Sequence, residues 1–67
     1  MAKITLEAAR VNCGMTQQEM ADAMGVSRST VIEWENGKRR MRPIYLFKYC
    51  QIVGFKEDDI LLPEVIT

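Results

Sequence analysis

With 67 residues the chain has room for one domain and one small core. Apolar residues make up 48% and charged residues 27%, which excludes a disordered, solvating chain, and only two prolines and four glycines favour helices. The formal net charge of zero hides an uneven distribution: Gly25 to Arg42 holds five basic residues against two acidic ones, while Glu57 onward holds four acidic residues and no basic one.

A first helix is expected from about Thr5 to Asn12, with Leu6 and Ala9 on its inner face and Gly14 as its stop. The second begins at a capping box, Thr16-Gln17-Gln18-Glu19, in which hydroxyl and carboxylate satisfy free backbone donors reciprocally. Met20, Ala21 and Met24 give this helix an apolar stripe, and Gly25 ends it in a left-handed turn. The third runs from an N-cap at Ser27 to about Asn36, where Asn36-Gly37 turns the chain. Lys38 to Arg42 form a basic loop. Pro43 opens a fourth helix through Leu46, Phe47, Cys50 and Val53 to Gly54. A short fifth helix is expected over Glu57 to Leu61, with acidic residues in its first turn, before Pro63. The expected architecture is all-α, a five-helix bundle forming a single domain over residues 1–67.

Residues 17–36 carry the functional signal. A helix pair that reads DNA needs a small residue where the helices cross, a turn residue tolerant of positive φ, and an apolar residue facing back to the core. Ala21, Gly25 and Val31 supply these in order. The 100° helical step then puts Val31, Trp34 and Glu35 on the inner side of the third helix. Ser29, Ile32, Glu33 and Asn36 fall on the outer side, with Arg28 near the edge at the N-terminal end. In a major groove Arg28 can bond guanine through O6 and N7, Ser29 can adapt to several bases, Ile32 suits a thymine methyl, and Glu33 can accept from cytosine N4. Against Glu33 stands the repulsion of a carboxylate by nearby phosphates. Gln17, Asn36, Lys38, Arg39, Arg40 and Arg42 surround this helix as expected phosphate contacts. Glu35, a charge on the inner face, needs a partner, and Arg10 is within reach.

The segments Met15-Thr16-Gln17-Gln18-Glu19-Met20-Ala21, Met24-Gly25-Val26-Ser27-Arg28-Ser29-Thr30-Val31, Trp34-Glu35-Asn36-Gly37-Lys38 and Phe55-Lys56-Glu57-Asp58-Asp59-Ile60-Leu61 together resemble the lambda-repressor-like helix-turn-helix family of the Cro/repressor (XRE) type. The resemblance implies a third helix docked in the major groove of double-stranded DNA, commonly by a homodimer on a palindromic operator. It implies base contacts at Arg28, Ser29 and Glu33, phosphate contacts at Gln17, Asn36 and the following loop, and a structural Arg10–Glu35 salt bridge. The expected function is a transcriptional repressor, bacterial or phage in origin. An antitoxin that binds a toxin protein and represses its own operon is the alternative reading.

With no histidine and no CxxC pair, no metal site or cofactor is expected, and no nucleophile–base pair suggests an enzyme. No signal peptide or membrane span is visible, so the reading is cytoplasmic, with Cys13 and Cys50 reduced and Cys50 a small core residue. A single disulfide between them is the other possibility. Any dimer is expected to form through this small domain, through the fourth and fifth helices and the apolar residues Leu61, Leu62, Val65 and Ile66, unless these fold back on the core.

Overall fold

The computed structural model describes residues 3–64. In chain order it contains β1 (Ile4–Thr5), α1 (Leu6–Asn12), α2 (Gln17–Met24), α3 (Arg28–Asn36), α4 (Pro43–Val53), a 3-10 turn (Glu57–Asp59) and β2 (Ile60–Leu61). Three helices start on side-chain caps. Thr5 Oγ1 accepts from Ala8 N at 3.1 Å, and Ser27 Oγ accepts from Thr30 N at 3.2 Å. At α2 both halves of the capping box form: Glu19 N donates to Thr16 Oγ1 at 3.0 Å and Thr16 N to Glu19 Oε1 at 2.8 Å. α4 starts on Pro43 with no side-chain cap, its ring presetting the helical φ.

The expected fifth helix does not form, so the bundle has four α-helices among the described residues. Residues Glu57–Asp59 make one 3-10 turn, and Ile60 is extended at φ −94° and ψ 128°. Two causes act together. Three consecutive carboxylates repel one another in a single turn, and Ile60 gains more by pairing with the start of the chain. β1 and β2 lie parallel, with Ile4 opposite Ile60 and Thr5 opposite Leu61. This pairing buries the β-branched Ile60 to 5% exposure.

The core gathers Leu6 and Ala9 of α1, Met20, Ala21 and Met24 of α2, Val31 and Trp34 of α3, Tyr49, Cys50 and Val53 of α4, and Met41 and Ile60. Ala21 and Val31 are fully buried and Gly25 adopts φ 73°, so the three positions singled out for the helix pair have the properties it requires. On α4 the buried face is built on Tyr49, Cys50 and Val53. Tyr49 is fully buried, Leu46 only half-buried, and Phe47 is 51% exposed. Cys50 and Val53 share a face with Tyr49 at helical spacing, whereas Phe47 falls off it. Trp34 packs on Tyr45 with ring centroids 5.3 Å apart at 43°. Both cysteines are free, Cys50 buried and Cys13 exposed, with the Cys13 thiol donating to Val53 O at 3.3 Å. Among the described residues no helix is long and apolar enough to cross a membrane. Of the apolar residues expected at a dimer contact, Leu61 and Leu62 are exposed, and Val65 and Ile66 lie outside the described residues.

Candidate nucleic-acid interface

α3 is held from behind by a polar knot. Arg10 Nε donates to Glu35 Oε2 at 2.7 Å, and its Nη2 donates to Glu35 Oε1 at 3.2 Å. The remaining nitrogen, Nη1, donates to Met15 O at 2.8 Å. The two side chains are 8% and 2% exposed, so the pair is buried and every guanidinium nitrogen is engaged inside the protein. In such a pair, removing one partner costs about 3–5 kcal/mol because the other charge is left unpaired. The hydrogen bond to Glu35 raises the Arg10 pKa, against the opposing effect of burial.

Two further groups join the knot. Gln17 Nε2 donates to Glu35 Oε1 at 3.1 Å, and the Tyr49 hydroxyl donates to Leu6 O at 2.7 Å while lying 3.5 Å from Glu35 Oε2. Burial, reinforced by the Glu35 charge, pushes the Tyr49 pKa well above its ordinary value. The sequence reading found the Arg10–Glu35 pair but neither addition. A tyrosine in an apolar run does signal that its hydroxyl needs a partner, but not which one.

The outer face of α3 carries the side chains expected to meet bases. Arg28 and Ser29 are exposed at its N-terminal end. Arg28 lines a shallow polar depression together with Thr16, Gln17 and Gln18 from the start of α2, and with Glu7 and Arg10 of α1. The fold thus brings Arg28 and Gln17 to one surface, although they belong to different helices. Gln17 is half-buried and its amide is turned toward Glu35, which leaves one N–H for an outside acceptor. Ile32 is half-buried and stands apart from the core cluster, as an outward position requires. Asn36 is exposed at the C-terminal end.

The basic loop follows a definite path. Gly37 turns at φ 75°, and Lys38 N and Arg39 N both donate to Glu33 O, at 2.9 and 3.2 Å. Lys38, Arg39, Arg40 and Arg42 are exposed, while Met41 between them is buried at 8% exposure. Met41 therefore pins the loop to the core and leaves its cations outside. The signal in the sequence was one apolar residue flanked by arginines. Glu33 and Arg39 also form an exposed ion pair, Nε to Oε1 at 2.8 Å.

A family model described as helix-turn-helix matches residues 6–60. The chain is also 38% identical over 50 residues to an uncharacterised HTH-type transcriptional regulator of Methanocaldococcus jannaschii, a match covering 75% of this chain and 76% of that protein.

Proposed function

The chain belongs to the XRE-type helix-turn-helix family, and from that premise we propose that it represses transcription by reading a specific operator with α3 in the major groove. The observation that carries this reading is the division of α3 into two faces. Val31, Trp34 and Glu35 are locked inward, while Arg28 and Ser29 stand exposed at the end that meets base edges in this type of docking. Among the described residues Arg28 has no ion pair, which leaves its planar fork for guanine O6 and N7. Ser29 and Ile32 complete the base-facing set. Gln17 and Asn36 donate hydrogen bonds to phosphates, and Lys38, Arg39, Arg40 and Arg42 neutralise them. The protein acts as a homodimer on a palindrome, and the exposed Ile44 and Phe47 of α4 supply apolar surface for the dimer contact.

The test is selection of binding sites from a random duplex pool at two salt concentrations. The expected product is a palindrome with half-sites about one helical turn apart. Arg28→Ala should then weaken binding by about 1–3 kcal/mol and relax the choice at one base pair in each half-site. No enrichment, with only weak salt-sensitive binding, would sink the operator-reading repressor and favour a module that works through a protein partner such as a toxin.

A further inference from the structure

Among the described residues two arginine–glutamate pairs are built on α3, and they differ in how much of the guanidinium each uses. Arg10 gives all three of its guanidinium nitrogens to acceptors inside the protein. Arg39 gives only Nε, to Glu33. Its Nη1 and Nη2 donate to nothing among the described residues, on a side chain that is 55% exposed. From this difference, and resting on the DNA-binding reading above, we propose that Glu33 is a positioning residue for Arg39 rather than a reader of cytosine. It holds the guanidinium by one edge so that the other edge meets a backbone phosphate.

Three observations converge on this assignment. The main chain is fixed first: Lys38 N and Arg39 N donate to the carbonyl of Glu33, so residue 39 is tied to the last turn of α3 before its side chain is considered. The side chain then returns to the same residue, at 2.8 Å. Backbone and side chain thus agree on one placement, with Met41 buried two residues further on as an anchor. The second point is electrostatic. A bare carboxylate on the outer face of α3 would be repelled by the phosphates that the surrounding cations attract, and Arg39 neutralises it. The third is geometric. The guanidinium is a planar fork with two usable edges, so it can bridge a carboxylate and a phosphate at once, whereas an ammonium is a single point of charge. An exposed pair of this kind adds little to folding stability. Its value is in ordering a long side chain before DNA arrives, which lowers the entropy lost on binding.

The assignment is tested with Glu33→Ala, Glu33→Gln, Arg39→Ala, Arg39→Lys and the double alanine variant, on the duplex that the wild-type protein enriches from the random pool. Arg39→Ala is expected to lower the magnitude of the log affinity versus log salt slope by about 0.9, one phosphate. Glu33→Ala should weaken binding and shift the slope in the same direction. The double variant should bind within about twofold of Arg39→Ala, because the two residues act through one contact. Glu33→Gln, which keeps an oxygen for Nε, should recover part of the loss, and Arg39→Lys should not. Repeating the selection with Glu33→Ala should return the wild-type consensus, and the melting temperatures of these variants should match the wild type. A changed base preference in Glu33→Ala that persists when Arg39 is alanine would overturn the proposal in favour of direct readout. Additive losses, tighter binding by Glu33→Ala, or a loss that tracks a lowered melting temperature would also overturn it. If the wild-type protein neither enriches a site nor binds duplex DNA, the DNA-binding reading itself falls, before any variant is made.

Discussion

Tyr49 shows how much one hydroxyl can settle in a small core. Its ring is fully buried, its O–H donates to Leu6 O, and it lies beside the Glu35 carboxylate. Burial and that negative charge hold its pKa above the ordinary 10.0. The folded protein therefore keeps this proton where the unfolded chain releases it. The contribution to stability is intact below about pH 10 and is lost progressively as the pH rises toward the folded value. Cys50, raised from 9.0 by burial and then by Glu57 and Asp59, acts in the same direction from a lower pH. Denaturant titrations between pH 8 and pH 11.5 should show stability falling at the alkaline end. Tyr49→Phe should cost about 1 kcal/mol near neutral pH and flatten the decline above pH 10. An unchanged alkaline slope in that variant would remove Tyr49 as its source. At this scale the sequence was partly legible. Glu35 on an inner face demands a cation, and Arg10 was the one in reach. Gln17 and Tyr49 approach the same carboxylate from α2 and α4, and no local pattern encodes that convergence.

Elements were most legible where backbone chemistry is local. The capping box at Thr16, the cap at Ser27, Pro43 at the head of α4 and the left-handed turns at Gly25 and Gly37 each depend on residues within one helical turn. The failure at Glu57 to Leu61 is of the opposite kind. Acidic residues before an apolar pair suit a helix start, but the partner that makes Ile60 extended is Ile4, at the other end of the chain. The two glycine turns also differ in a way that only the tertiary structure shows. A Cβ at Gly25 would meet open space, while one at Gly37 would lie 2.7 Å from Glu64 O and 3.3 Å from Pro63 Cβ. Both positions carry the left-handed penalty of about 1–2 kcal/mol for a side chain. Gly37→Ala should exceed Gly25→Ala in lost stability, because the segment at Pro63–Glu64 has to be displaced as well. Chemical denaturation of the two variants measures the difference, and equal losses would mean that this segment does not hold the turn.

For the whole molecule, the order of the charges says more than their sum of zero: the cations of residues 38–42 follow α3 directly and are all exposed. What the sequence could not give was the surface left uncovered. Ile44 and Phe47, one helical turn apart on α4, are 69% and 51% exposed. The described residues span 31 × 28 × 19 Å, so in the proposed homodimer two copies side by side would match half-sites about 34 Å apart on one face of DNA. Replacing Ile44 and Phe47 together by Glu should lower affinity for the selected palindrome by about tenfold or more while leaving binding to an isolated half-site unchanged, in gel-shift titrations of both duplexes. Equal affinity for the palindrome would place the dimer contact elsewhere. The short parallel ladder of β1 and β2 has its own consequence for the order in which the domain is made. During synthesis Ile4 leaves the ribosome first and waits for Ile60, so the helices can assemble while the clasp that seals them is still missing.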